Sequence, residues 1–353
     1  MRKKNIYLSD IQQEPILFPF EISWRDICLS KVFSIHELFK FLQENYIEDN
    51  NSIYRFNYSH EFLNFNLKIP YWHPFFSIAL TFSRGSKLIG SIMCVPKTIA
   101  FEKFLINSSE INYLCLIKKI RSTRLVSTLI QEITRRLNAI GCLHALYTTA
   151  VSFHEPFVHS RYYHYPLNIF KLYNLAFMKS RCFVTRTGKF DWKKTNIKLL
   201  EQKKSYIRYI VRKNLTKLKA YTCFMDDEFE CSFNNVEGVF YLFFFSSSKK
   251  NNVKCISFYS LPNKIIKKEK NTYVFTAYWY FGYMKTAIIK CCQNIIMMLK
   301  ILGFDLFNIV ESINEKKNLK LMGFKKGTGF LQFHIFNWIQ KPIACKDNGL
   351  VTF

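Results

Sequence analysis

The strongest constraint on how this chain can fold is a local unit that occurs twice, about half a chain apart. An amphipathic stretch of about sixteen residues, Leu125–Ile140, ends at Gly141 and leads into an apolar segment, Ala145–Val151. Thr286–Leu302 likewise ends at Gly303 and leads into Phe304–Val310. In the first stretch Leu125, Leu129, Ile133 and Leu137 recur every four residues, and in the second Ile288, Cys292, Ile295, Leu299 and Leu302 share one side. Each spacing predicts a helix with one apolar stripe, and each glycine is the residue that most easily ends a helix in a left-handed turn. The units also close alike, at Asn174-Leu-Ala-Phe177 and Leu321-Met-Gly-Phe324. A tandem duplication of one α/β unit accounts for this period.

Strand patterns fill in the rest. Phe75–Phe82 and Lys87–Pro96 alternate and flank Ser83-Arg-Gly-Ser86, which predicts an antiparallel hairpin. Glu110–Lys118 is apolar enough for a central strand, and Val253–Leu261 and Thr272–Tyr283 are the strands expected in the second half. No Pro/Gly/Ser-rich linker intervenes, so two halves, 1–178 and 179–353, are expected to share one continuous mixed sheet. Nearly half of the 353 residues are hydrophobic, enough for a large core.

Composition narrows the function classes. The longest apolar runs, such as Gly238–Phe245, are far shorter than the roughly 20 residues of a membrane span, so no transmembrane insertion is expected. The basic start, Met1–Asp10, lacks the apolar core of a signal peptide. Eleven scattered cysteines without paired CxxC motifs argue against a zinc module and for free thiols in a reducing, cytoplasmic setting. A formal charge of +26 favours a polyanionic partner: nucleic acid, anionic membrane or a phosphorylated co-substrate. Lys193–Lys219 is the densest basic stretch, broken by Ile197, Leu199, Leu200, Ile207, Ile210 and Leu215; a solvated helix face and a ribosome contact are its two readings.

The segment that carries chemistry is EINYLCLIKKIRSTRLVSTLIQEITRR, residues 110–136: a strand, a basic turn and a helix start. Such a turn aims backbone N–H groups and the positive end of a helix dipole at one spot, suited to phosphate. Arg121 and Arg124 add charge there, and Ser122 or Thr123 is placed to cap the helix. Cys115, in an apolar strand, reads as core rather than as a nucleophile. His154, His159 and His164 recur at five-residue intervals, which fits no metal-ligand pattern, and no metal is expected.

The run 110–136 resembles the signature of the N-myristoyltransferases. ENYIEDNNSIYRFNYSHEFL (44–63), ALYTTAV (145–151), SRYYHYPLN (160–168), SFYSLPN (257–263), DLFNIVE (305–311), GTGFLQFHIFNW (327–338) and the terminal GLVTF (349–353) extend the likeness over roughly residues 12–353. The resemblance implies an α/β, duplicated GNAT-like acyltransferase fold whose first half binds myristoyl-CoA as co-substrate and whose second half supplies most of a peptide groove. It implies direct attack of an N-terminal glycine amine on the thioester, without a cysteine intermediate or a permanently bound cofactor. The substrates it implies are Gly-initiated proteins or nascent chains, and a monomer is expected.

The resemblance also assigns residues. Backbone N–H groups at Tyr113 and Leu114 would hold the oxyanion, and Asn112 and Thr148 would help to hold the amine. The carboxylate of Phe353 would take the amine's proton. The CoA turn would comprise Tyr113, Leu114 and Arg121, Ser122, Thr123, Arg124, Leu125 and Val126. Peptide contacts would fall to Asp49, Phe56, Tyr58, Tyr162 and His164 from the first half, and to Tyr259, Tyr278, Asn308 and Gly329 from the second.

Departures from the family pattern are equally specific. Only about a dozen residues precede Gln12-Gln-Glu-Pro15, where relatives carry an aromatic-rich segment over CoA, so another element covers the CoA or it binds less tightly. Thr123 and Ser127 stand where Lys and Pro are usual. Asn51 and Thr328 stand where Asp is usual, and Asn263 where Ser is, which predicts a weaker preference for lysine downstream of the acceptor glycine. Two other readings remain: a GNAT-type N-acyltransferase with another acyl donor, and a basic RNA- or ribosome-associated protein.

Overall fold

The computed structural model describes residues 14–18, 21–46, 54–83, 87–151, 154–178, 204–246, 253–266, 272–282, 288–312 and 316–353. Chain order begins with β1 (Ile22–Asp26), α1 (Val32–Asn45), β2 (Tyr54–Phe56), α2 (His60–Leu67), β3 (Ser77–Phe82), β4 (Leu88–Phe101) and β5 (Phe104–Leu116). Next come α3 (Leu125–Ala139), β6 (His144–Thr149), β7 (Val158–Pro166) and α4 (Ile169–Asn174). After residue 203 follow α5 (Lys204–Leu215), β8 (Ala220–Thr222), α6 (Asp226–Ser232), β9 (Phe240–Ser246), β10 (Val253–Ser260), β11 (Asn263–Ile265), β12 (Thr272–Val274) and β13 (Thr276–Gly282). The chain ends with α7 (Ile288–Ile301), β14 (Leu306–Val310), α8 (Lys316–Leu321), β15 (Lys325–Phe336) and β16 (Asn348–Gly349).

One mixed sheet runs β1-β3-β4-β5-β6-β15-β7-β14-β13-β10-β9, with β8 and β16 attached beside β4; β12-β11-β2 form a separate small sheet. The two halves of the large sheet follow one plan. In each, an antiparallel strand pair (β4–β5, β10–β13) is followed by a helix (α3, α7) and a parallel partner (β6, β14). The expected continuous sheet is present, but the halves are interlocked. β15, near the end of the chain, is inserted between β6 and β7, and β7 also pairs with β14.

The repeated caps are present at bond level. After α3, Gly141 has φ +78; its N–H donates to Asn138 O and that of Cys142 to Leu137 O. After α7, Gly303 has φ +81 and donates to Lys300 O, while Phe304 donates to Leu299 O. The two shorter helices end in the same way, at Ala176 (φ 59) and Gly323 (φ +89), with Phe177 and Phe324 bonding back to Leu172 and Leu319. Each is a left-handed cap that satisfies two terminal carbonyls. The apolar stripe of α3 is buried at Leu129, Ile133 and Leu137, under β4 and β5. In α7, Ile295 and Leu299 are fully buried; Leu302 lies past the last turn and is exposed.

Several expected boundaries move. Pro74–Phe76 is a 3-10 turn, so the hairpin's first strand starts at Ser77; its second strand runs on to Phe101 and the central strand starts earlier, at Phe104. Thr272–Tyr283 is not one strand. At Phe275 the chain leaves the small sheet for the large one, pinned there by Asp305, whose N–H donates to Phe275 O while its carboxylate accepts from Phe275 N. In the basic stretch, residues 193–203 lie outside the described residues. The remainder forms α5, which buries Ile207, Val211 and Leu215 and is therefore a packed amphipathic helix.

Candidate active site

β5 supplies the first half of the site. Cys115 pairs with Ser91 and Asn112 with Met93, so Tyr113 and Leu114 together face Ile92 alone. This is a β-bulge, and Tyr113 sits in it at φ 54, a left-handed conformation that is costly for an aromatic residue. The surroundings hold it there. Ser91 Oγ donates to Tyr113 O at 2.9 Å, and the fully surrounded ring receives Asn66 Nδ2 on its hydroxyl at 2.5 Å. A bulge releases backbone groups from the ladder and re-aims them. The two residues in the bulge are the two to which the family resemblance assigns the oxyanion role. Asn112, just before them, has its side-chain amide nitrogen buried with no partner.

The segment ending at Phe353 lies against this strand. Phe353 is half-buried, and its ring packs on Tyr280 (4.5 Å), Tyr259 (5.5 Å), Phe65 (5.6 Å) and Phe62 (5.8 Å). Its N–H donates to Glu110 Oε1 at 3.3 Å, three residues before the bulge on the same strand. Val351 N–H donates to Thr222 Oγ1, so the tail is fixed on two sides. Thr352 and Phe353 line a cleft together with Thr148, Tyr162, Tyr259, Tyr278, Asn308 and Leu331. The cleft thus collects the expected amine-holding Thr148, the terminus and much of the expected peptide set.

The peptide set forms one connected wall. Phe56 meets Tyr58 and Tyr278 edge-on, Tyr259 stacks on Tyr278 at 5.4 Å, and Tyr58 meets Tyr113 edge-on at 5.4 Å. His164 lies parallel to Tyr162, and its Nδ1 is 2.6 Å from Asn308 Oδ1. Burial holds the His164 imidazole below its ordinary value of 6.5, so the ring is neutral near pH 7. Burial likewise pushes the Tyr58, Tyr259 and Tyr113 phenols well above 10, and Tyr278 up to about 12. This aromatic wall is therefore uncharged near pH 7. Gly329 lies exposed in an irregular part of β15 beside Tyr162. Two residues earlier, a Cβ on Gly327 would stand 2.3 Å from His164 Nε2 and 2.9 Å from Tyr162 O, so only glycine fits there. Asp49 and Asn51 lie outside the described residues. Thr328 is exposed, and Asn263 is buried, donating to Thr276 Oγ1 at 2.9 Å.

The basic turn differs from its expected form. Arg124 itself is the N-cap of α3 and makes no side-chain cap bond, while Thr123 Oγ1 accepts from Leu125 N at 3.4 Å; Ser122 does not cap. Arg121 is not turned wholly outward: its Nε donates to Leu116 O at 3.1 Å and its Nη2 to Asn45 O, tying the end of β5 to the end of α1. Ser122, Thr123 and Arg124 are exposed, Leu125 and Val126 half-buried, and the first-turn amides of α3 have no partner further back in the helix.

Other expectations resolve simply. Burial pushes the Cys115 thiol up to about 12, leaving almost no thiolate for nucleophilic attack. His154 and His159 are exposed, and His159 stacks on Phe330. Among the described residues no group of His, Cys, Asp and Glu is placed to hold a metal, and no helix is long and apolar enough to cross a membrane. Two elements had gone unread in the sequence: the Glu110–Phe353 contact and the Ser91 latch. Each joins residues far apart in the chain, so no local signal marks the contact.

A doubled α/β unit with a bulged central strand defines a GNAT-like acyltransferase fold. A GCN5-related N-acetyltransferase from Anabaena variabilis shares it at a TM-score of 0.50 and 8% identity, covering 88% of this chain and 72% of its own. Sequence and structure together are more specific. The family models described as Myristoyl-CoA:protein N-myristoyltransferase, N-terminal domain and C-terminal domain match residues 2–159 and 190–350. Glycylpeptide N-tetradecanoyltransferase 2 of Bos taurus is 31% identical, over 97% of this chain and 70% of its own length. The protein of the same name from Danio rerio is 30% identical, over 97% and 71%. Saccharomyces cerevisiae N-myristoyltransferase with bound myristoyl-CoA superimposes with a TM-score of 0.86 at 27% identity, covering 97% of this chain and 84% of the yeast one. The chain belongs to the myristoyl-CoA:protein N-myristoyltransferase family and is an acyltransferase.

Proposed function

We propose that this protein transfers myristate from myristoyl-CoA to the N-terminal glycine amine of proteins, by direct attack on the thioester. In this reading residues 1–178 bind the acyl-CoA, with Ser122, Thr123 and Arg124 and the first turn of α3 around its phosphates. Residues 179–353 provide most of the peptide groove and the terminal carboxylate.

Three tasks must be met: a neutral amine, a stabilised oxyanion and exclusion of competing nucleophiles. The amides of Tyr113 and Leu114, freed from the ladder by the bulge and the former facing the Tyr46 hydroxyl, serve as donors for the negative charge that develops on the thioester oxygen. An α-amino group with a pKa of about 7.7–8.0 is largely protonated at neutral pH, so a base must take its proton. The Phe353 carboxylate takes it, while Thr148 and Asn112 hold the nitrogen. The neutral amine then attacks the carbonyl carbon, the C–S bond breaks as the tetrahedral intermediate collapses, the nitrogen gives up its second proton to the departing thiolate, and CoA leaves as the thiol. The observation that carries this reading is the bond from Phe353 N to Glu110, which brings the last residue to the strand that bears the bulge.

Eight described cysteines are free thiols, in keeping with work in the reducing cytoplasm on Gly-initiated proteins or nascent chains. The test is transfer of labelled myristate to a Gly-initiated peptide beside an Ala-initiated control, repeated after removal of Phe353. Transfer to glycine alone, falling about a hundredfold or more on truncation, is expected. Equal transfer to both peptides, or full activity without Phe353, would overturn it.

A further inference from the structure

A charged pair is buried directly behind the terminal segment. Glu110 is 2% exposed, and the Lys97 side chain is 10% exposed. Lys97 Nζ donates to Glu110 Oε2 and, at 2.5 Å, to Val351 O, while the other carboxylate oxygen accepts from Phe353 N. One lysine and one glutamate therefore grip the tail at two alternate residues, one through a carbonyl and one through an amide. Lys97 comes from β4 and Glu110 from β5, on a rigid central hairpin of the sheet.

Burial of such a pair is poor evidence for stability, because desolvation offsets most of its attraction and apolar replacements of like volume serve as well. What the pair does distinctively is convert a chain end into a fixed element. Ends are ordinarily frayed; this one is also held by Val351 N donating to Thr222 Oγ1, by Leu350 N donating to Asn348 Oδ1 and by the packing of the Phe353 ring. Glu110 is also three residues from Tyr113, so the pair ties the position of the last residue to the bulge.

We propose that Lys97 and Glu110 are positioning residues: an ion-pair clamp that sets the terminal carboxylate at a fixed distance from the oxyanion-binding amides. The proposal rests on the reading of the Phe353 carboxylate as the base. Both act through the tail. A base held about 1 Å out of place loses on the order of a hundredfold in rate, which gives the clamp its purpose.

The clamp is tested with the full chain in two ways. In the unaltered protein, hydrogen exchange of the C-terminal peptic fragment reads the Phe353 and Val351 amides. Slow exchange of both is expected, and exchange of the Phe353 amide at the free-peptide rate overturns the clamp. The second test compares Lys97→Met, Glu110→Gln and the double variant K97M/E110L. Either single change leaves a lone polar group or charge and can impair folding, whereas the apolar double replaces the pair and keeps the fold. The double variant is expected to release Phe353 to carboxypeptidase at least about tenfold faster. Its kcat should fall about tenfold to a hundredfold, with the KM for myristoyl-CoA within about twofold of the parent value. Unchanged carboxypeptidase release, or faster release with unchanged kcat in a protein that still needs Phe353, overturns the clamp. If deletion of Phe353 itself leaves kcat intact, the base assignment fails instead, and carboxypeptidase release then still reads the clamp on its own.

Discussion

Replacing Ser91 by Ala tests whether the bulge is built for catalysis or is only tolerated. Ser91 is fully buried, and its hydroxyl donates to the carbonyl of Tyr113, the residue held at φ 54. Removing one partner of a buried hydrogen bond costs about 1–3 kcal/mol. Unfolding entropy of about 2.1 cal/mol/K per residue, summed over the chain, gives about 0.74 kcal/mol/K, so Tm should fall by about 1.5–4 °C. Loss of the latch also frees the strained peptide to turn, and loss of a single oxyanion donor costs about 10²–10³ in kcat. Ser91→Ala is therefore expected to lose at least about tenfold in kcat, with KM for the peptide nearly unchanged. The second half of the sheet contains its own control. At the bulge between β10 and β13, buried Ser257 donates to Phe281 O at 3.2 Å, and no acyl group is expected there. Ser257→Ala should cost a similar number of degrees but leave kcat within about threefold. Thermal melts and steady-state kinetics on both variants decide the matter: equal kcat losses, or a destabilised but fully active Ser91→Ala, would refute the role of the bulge.

Three further outcomes follow from the same geometry. Ala176 caps α4 at φ 59 where its counterparts are glycines, so Ala176→Gly should add about 0.5–1 kcal/mol, whereas Gly323→Ala should cost about 1 kcal/mol or more, both measured by denaturant melts. Cys115→Ala should keep kcat within about threefold and give no acyl-enzyme by intact-mass analysis, because the buried thiol titrates only at about 12. The His164 imidazole titrates lower in the folded protein than its ordinary 6.5, so the unfolded chain binds more protons below that pH. Stability should thus fall as pH drops below about 6.5 toward the folded value, and His164→Gln should flatten that part of the Tm–pH curve.

What the sequence made legible was local. Gly141 and Gly303 mark their helix ends because a left-handed cap needs little beyond the glycine itself, and the stripe Leu129, Ile133, Leu137 reports its buried face directly. The α/β duplicated fold and the aromatic composition of the groove were readable for the same reason, with the family resemblance supplying roles that spacing could not. The bulge was not readable: tyrosine is a poor choice for φ > 0, and it is Ser91 and Asn66, 22 and 47 residues away, with Tyr46 and Tyr58 against the ring, that hold it there. The break at Phe275 depends on Asp305, thirty residues on, and Arg121 is drawn inward by a carbonyl of α1. In these three places a partner far along the chain decided the outcome, whereas the late start of β3 is local, set by the 3-10 turn at Pro74 that His73 caps.

The insertion of β15 between β6 and β7 sets the order of events in making this protein. A ribosome that has delivered everything through residue 324 has produced β6 and β7 with their mutual gap still unfilled, so neither layer of side chains there can close. Assembly has to wait for the last thirty or so residues, which favours slow, late condensation of the whole sheet over stepwise folding of separate halves. Cutting the polypeptide near residue 178 should accordingly give two fragments that are each insoluble alone and recover shape only when produced together.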